Sequence, residues 1–199
     1  MVNTKPSHAY NEASPFSADL KPFSIHQNTS DVQDSDEVFY KSDDDRTSPD
    51  RHGDTYDSIE DEFYSLQRLH RIAPEIVAQP ICMNYNEEGE PVGYFMEKAE
   101  GRELNDYTAT LDGSQNLNPD QIDTDVVKNQ ISYFNALMDI YGESHGDLHP
   151  KNIMIDEETS SITVIDPVGY DRETASTEEA RQKDREKIDS WLDDLEAAS

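Results

Sequence analysis

His145-Gly-Asp-Leu-His-Pro-Lys-Asn-Ile-Met-Ile155, followed by Val164-Ile-Asp-Pro167, is the stretch on which the fold turns. Asp147 and Asn152 fall in a polar loop behind a long helical pattern, and Asp166 ends an apolar strand pattern. Between them, Ile153–Ile155 and Ile162–Ile165 flank a turn at Asp156–Ser160 and read as a short hairpin. Such a hairpin returns Asp166 to the side of Asn152. Two oxygen-bearing side chains so placed suit Mg²⁺, which takes few protein oxygens and completes its shell with water and phosphate. Asp147 is then left to accept the proton of a hydroxyl nucleophile. A lone Asp says little in a chain with 44 acidic residues. His145, Gly146, Asp147, Pro150 and Asn152 fixed together say more.

Working outward, Val127, Ile131, Phe134, Met138 and Tyr141 step by 4, 3, 4 and 3, the longest regular helical face in the chain. Asn118-Pro119 is expected to open that helix, with Pro in its first turn. Beyond the run, Ile188, Trp191, Leu192 and Leu195 mark a terminal helix that begins near Thr177. Ahead of it, Ile59, Phe63, Leu66 and Leu69 form another helical face, which Pro74 ends. Asp57 or Ser58 caps this helix, and the Asp57–Glu60 spacing suits a capping box. Ile76–Met83 and Val92–Glu97 predict a hairpin across Asn84–Glu90. Val38–Tyr40 and Phe23–Ile25 read as strands, residues 43–57 as an acidic loop, and residues 1–20 as a tail. No internal repeat is present. The order implies an α+β fold, β-rich first and helical second.

The chain has 199 residues and a formal net charge of −28. Without a basic patch, such a surface excludes general nucleic-acid binding. No apolar run is long enough for a membrane span. Met1–Tyr10 lack a signal-peptide core, and the lone Cys82 leaves no intrachain disulfide. The cytoplasm is the expected location. Low hydrophobicity with high charge accompanies disorder, but the apolar periods survive from about residue 56 onward with acids set between them. That pattern fits a folded protein working in concentrated salt, which screens self-repulsion. A halophile is the expected source, or its cell if the protein is viral. An acidic interaction protein or DNA mimic would gather its charge on one face, whereas here acids occupy every segment.

At HGDLHPKN and Ile165-Asp166-Pro167 the sequence resembles the protein-kinase-like superfamily. The resemblance implies a two-lobed fold, with a β-rich N-lobe over residues 21–98 and a reduced helical C-lobe over residues 99–199. It implies ATP and Mg²⁺ as cofactors, Asp147 acting on the acceptor hydroxyl, and Asn152 and Asp166 holding the metal. His149 replaces the Lys of ordinary Ser/Thr kinases and is placed among the cofactor contacts. That change is similar to aminoglycoside phosphotransferases. Val38-Phe-Tyr-Lys41 looks like the strand bearing the phosphate-binding Lys, and Glu62 like its helical partner, with Lys21 and Glu60 as rivals. Tyr94–Gly101 resembles the hinge strand, where the backbone of Glu97, Lys98 and Ala99 would meet adenine.

Two departures stand out. The segment before Lys41, His26–Asp31, has no glycine. Asp166 lies only 33 residues from residue 199. The short second lobe resembles RIO-type kinases and the small kinase of the archaeal KEOPS complex, in which Asp184 would brace the catalytic loop. The expected activity is transfer of the γ-phosphate to a hydroxyl, with a protein acceptor favoured over a small molecule. A kinase-shaped scaffold without catalysis is the alternative.

Overall fold

The computed structural model describes residues 36–42, 58–107, 121–168 and 177–198, with side chains to 193. Among these residues the chain is a mixed α+β protein of three α-helices and two small antiparallel sheets. No helix among them is long and apolar enough to cross a membrane. The expected tail, the strand at Phe23–Ile25, the segment His26–Asp31, Lys21, Asp57 and Asn118-Pro119 lie outside the described residues. So does the side chain of Leu195.

The first sheet has the order β1-β3-β2. β1 is Val38–Ser42, β2 Pro80–Tyr85 and β3 Pro91–Glu97. β2 and β3 form the expected hairpin, and β1 pairs with the other edge of β3, setting Lys41 opposite Tyr94 and Ser42 opposite Gly93. Gly93 is required there, because a Cβ would collide with the Tyr40 hydroxyl and the Lys41 carbonyl.

α1, Ile59–Ile72, packs on this sheet through Ile59, Phe63, Leu66 and Leu69. Its capping box is one residue later than expected. The Ser58 hydroxyl accepts from the Asp61 amide at 3.0 Å, and Asp61 returns a bond from the Ser58 amide at 3.2 Å. Acids in the first turn and His70 and Arg71 in the last suit the helix dipole.

The expected strand Ile76–Met83 divides in two. Only its second half joins β2. The first half crosses to the other sheet, where the Val164 amide donates to the Ile76 carbonyl at 2.7 Å and the Ala78 amide to the Val164 carbonyl at 3.1 Å. A single apolar run thereby stitches the two sheets together, because each half satisfies its backbone groups in a different ladder.

The second sheet has the order β4-β5-β6, with β4 at Arg102–Glu103, β5 at Ile153–Ile155 and β6 at Ile162–Val164. The β5–β6 hairpin turns at the expected place. α2, Thr124–Tyr141, starts six residues later than Asn118. Asp123 caps it, accepting from the amides of Asp125 and Val126. Gly142 ends it in the left-handed region. Val127, Ile131, Phe134 and Met138 are buried as the period requires, whereas Tyr141 is 45 % exposed in the last turn. α3, Glu178–Ala198, lies against α2, with Ile188 fully buried and Leu192 packed at the edge of the core.

Candidate active site

Glu62 stands on the buried face of α1 between Ile59, Phe63 and Leu66, and is itself only 5 % exposed. A carboxylate there needs partners, since an uncompensated buried charge costs several kcal/mol or more. It has two. Lys41 Nζ lies 2.7 Å from Glu62 Oε1. The Tyr94 hydroxyl donates to the same oxygen at 2.6 Å. β1 and β3 set both side chains in place through the Lys41–Tyr94 register. Of the rivals weighed for Glu62, Glu60 faces outward and accepts from exposed Tyr64 at 3.4 Å.

Lys41 also reaches across to the end of β6, 2.9 Å from Asp166 Oδ1. Burial disfavours its ammonium, but Asp166 and Glu62 outweigh that, and its pKa is raised. Asp166 has a φ of 55°, in the left-handed region. For a residue other than glycine this conformation costs about 1 kcal/mol. It turns the carboxylate out of the strand direction and toward Lys41.

The loop that holds Asp147 is braced from α3. Asp184, 5 % exposed, accepts the amides of His145 and Gly146 at 2.9 Å each and that of Leu148 at 3.1 Å. Three backbone donors thereby converge on one carboxylate. His145 is buried completely, and its Nε2 lies 2.8 Å from the Ile165 carbonyl. Burial depresses its pKa, so the ring is neutral and donates that bond. It ties the loop to the strand carrying Asp166.

Asn152 closes the arrangement. Its amide nitrogen donates to the Asp147 carbonyl at 3.0 Å and the Asp166 carbonyl at 3.4 Å. The Ile165 amide donates to the Asn152 carbonyl at 3.0 Å. Asn152 and Asp166 are therefore neighbours, as the hairpin reading required. His149 Nδ1 accepts the Lys151 amide at 3.2 Å and caps the turn Pro150–Asn152, while its Nε2 lies 3.5 Å from Asp147 Oδ2. Lys187, from α3, donates to Asp147 Oδ1 at 2.8 Å. Burial raises the Asp147 pKa, but the hydrogen bond and charge of Lys187 lead the effects that more than reverse this, and the net shift is downward.

The residues expected at the hinge sit at the end of β3. The Glu97 amide donates to the Gln79 carbonyl at 2.8 Å and the Lys98 amide to the Glu37 carbonyl at 2.9 Å. Two of the three expected adenine-facing amides are thus engaged within the fold. Ala99 follows directly in the chain.

Sequence reasoning missed four residues of this constellation: Tyr94, Lys187, Arg68 and Glu143. Arg68 of α1 pairs with buried Glu143 at 2.8 Å, linking the helix of Glu62 to the segment leading into the Asp147 loop. Lys187 had a readable signal. It lies three residues beyond Asp184 on a helix, hence on the same face.

Among the described residues no group of three or more His, Cys, Asp or Glu could hold a metal ion. A Mg²⁺ ion that shares its shell with phosphates needs fewer protein ligands. Asp166 Oδ1 is buried and has no aligned hydrogen-bond donor beyond the ion pair to Lys41. With both Asn152 amide hydrogens directed at carbonyls, its oxygen is the acceptor end that remains. This donor set fits a hard cation. No protein-family model matches the chain, and no curated protein matches it.

Proposed function

We propose that the protein is a phosphotransferase with a two-lobed, protein-kinase-like arrangement, the first sheet with α1 forming one lobe and the remainder the other. Within that class, we read it as an ATP- and Mg²⁺-dependent kinase that passes the γ-phosphate to a hydroxyl of a protein. The observation that carries this reading is Lys41 held between Glu62 at 2.7 Å and Asp166 at 2.9 Å. The three come from β1, α1 and the end of β6. The resemblance pairs Lys41 with Glu62, and the contact with Asp166 joins that pair to the residue expected to hold the metal.

Lys41 contributes a fixed positive charge for the α- and β-phosphates, and Glu62 with Tyr94 sets its position. Asn152 and Asp166 would hold Mg²⁺, which supplies charge neutralisation at the phosphates. Asp147, kept ionised by Lys187, orients the acceptor hydroxyl and takes its proton. In such a site most of the rate comes from positioning and electrostatics. The open setting of Asp147 favours a large acceptor. Its side chain is 22 % exposed and that of Lys187 45 %, whereas a small-molecule pocket encloses most of its ligand.

The reading as a scaffold has one observation in its favour: the Glu97 and Lys98 amides already donate within the fold. Mg·ATP binding and γ-phosphate turnover in multimolar KCl separate the two. The expected result is binding lost in Asp166→Ala and turnover lost, with binding kept, in Asp147→Ala. Binding without turnover against any protein acceptor favours the scaffold. Absence of nucleotide binding at every salt concentration overturns the kinase reading.

A further inference from the structure

The ion pair between Lys187 and Asp147 sits where the reaction would take place. Lys187 Nζ donates to Asp147 Oδ1 at 2.8 Å, on the oxygen-bearing end that an acceptor hydroxyl must approach. The ammonium takes one of the lone-pair sites of this carboxylate, on Oδ1, and competes there with an incoming hydroxyl. Moving it to a second anion would free Asp147 for the acceptor.

It has somewhere to go. Lys187 is carried on a long flexible stem and is about half exposed, so its head can swing without disturbing α3. The helix beneath is fixed, because Asp184, one turn earlier, is anchored to the amides of His145, Gly146 and Leu148. Lys187 is thus half exposed at its tip and fixed at its base, beside the loop. Lys41, on the far side, is already held by Glu62 and Asp166. His149 is pinned through Nδ1 to the Lys151 amide, which in the neutral ring leaves the proton on Nε2, facing Asp147. The terminal phosphate of a nucleotide lying between Asp166 and Asp147 would therefore have Lys187 as the adjustable cation on its acceptor side.

We propose that Lys187 of the C-terminal helix is a catalytic residue, an ammonium that holds Asp147 in the resting enzyme and transfers to the γ-phosphate when nucleotide binds, which leaves Asp147 to the acceptor. This inference rests on the phosphotransferase reading above. In the step, the acceptor oxygen forms a bond to the γ-phosphorus as the bond to the ADP oxygen breaks, and ADP leaves with that electron pair. The hydroxyl proton passes to Asp147. Lys187 offsets the negative charge on the γ-phosphoryl oxygens, which a short-lived, loosely bonded transition state spreads over all three.

A cation that meets only the γ-phosphate makes a difference between ATP and ADP, and that difference can be read without turnover. The probes are a methylene-bridged, non-hydrolysable ATP analogue and ADP, each with Mg²⁺, titrated by calorimetry into wild type, Lys187→Met, Lys187→Arg and Lys183→Met. Lys183 is on the same helix, paired with Glu179 on the surface, and controls for the loss of one positive charge from a chain of net charge −28. Lys187→Met is expected to bind the ATP analogue about tenfold more weakly, the worth of one charge-assisted contact, with ADP affinity unchanged. Lys187→Arg should restore most of the difference, and Lys183→Met should behave as wild type. Turnover in Lys187→Met should fall by about a hundredfold.

A Lys187→Met protein that keeps the full preference for the ATP analogue overturns the proposal and leaves Lys187 a surface ion pair. Equal binding of both nucleotides by wild type overturns it too, while the phosphotransferase reading stands. Failure of wild type to bind either nucleotide in any salt removes the phosphotransferase reading itself, and this inference with it.

Discussion

Lys41 and Arg185 each hold two carboxylates, and the two arrangements share little beyond their charges. Lys41 lies between Glu62 and Asp166, with side-chain exposures of 17 %, 7 % and 34 %. Arg185 lies between Asp139 and Glu178 on the outer faces of α2 and α3, where the two carboxylates are 46 % and 71 % exposed. The first cluster joins β1, α1 and the end of β6. The second joins neighbouring helices that Ile188 and Phe134 already hold within one core. Buried ion pairs gain little net energy over apolar packing, yet breaking one by removing a partner is costly, so they fix geometry. Exposed pairs are screened and contribute little. Asp184 and Arg185 are consecutive residues and show the same contrast on one helix. Asp184 points inward to three backbone amides, and Arg185 points outward to two exposed acids.

The widest gap between the two kinds of charge should appear at that pair. Asp184→Ala leaves three amide donors without their acceptor, and roughly 3–5 kcal/mol of stability should be lost in urea unfolding. Arg185→Ala should be close to wild type in the same experiment. Equal losses in the two variants would break the distinction drawn here.

Within the buried cluster the partners of Glu62 can be ranked. Glu62→Gln removes the charge that faces Lys41 and should cost about 2–3 kcal/mol, because Asp166 still compensates the ammonium. Tyr94→Phe removes one hydroxyl at a fully buried position and should cost about 1.5–2 kcal/mol, the worth of a hydrogen bond to a charged group. Combining the two should cost less than the sum, since both act on one oxygen. Strict additivity in a double-mutant cycle would show that Tyr94 does not position Glu62.

Acid should act on the inside before the outside. His145 has a depressed pKa in the folded protein because it is buried. The unfolded chain therefore takes up a proton that the folded one does not. Its contribution is fully present above the ordinary histidine pKa and is lost as pH falls below about 6.5, by no more than about 1.4 kcal/mol per pH unit. Unfolding free energies measured between pH 7.5 and 5.5 should show this slope, and His145→Gln should flatten it. An unchanged slope in the variant would assign the dependence to other groups.

The smallest effect belongs to the surface cluster in salt. Added KCl should raise the melting temperature of the whole chain by screening a net charge of −28. The small difference between wild type and Arg185→Ala should vanish in the same series, whereas that of Glu62→Gln should persist. A salt-insensitive melting temperature would contradict the reading of the acidity as an adaptation to salt.

Much of this was legible in the chain. The faces of α1 and α2, both hairpins and the proximity of Asn152 to Asp166 follow from periods and turns of short range. The pairing of Lys41 with Glu62 was expected only from resemblance, and the pairing of Lys41 with Asp166 was not expected at all. The start of α1 at Ile59 agrees with the expectation and only its capping box is shifted, to Ser58–Asp61, whereas the start of α2 was misplaced, with Asp123 and not Asn118 at its N-terminus. The run Ile76–Met83 was read as one strand because alternation cannot show that a strand changes sheets midway.

By itself the sequence determined which segments are helical, which are extended, and that Asn152 and Asp166 are neighbours across a short hairpin. Local sterics, capping and apolar spacing act over a few residues, so they leave a mark that can be read along the chain. Only the tertiary structure decided that Tyr94 meets Glu62, that Arg68 meets Glu143, and that Lys187 meets Asp147 across 40 positions. In a chain where acids occur in every segment, charge alone nominates no partner. Burial and register choose one, because only there does an unpaired carboxylate cost enough to matter.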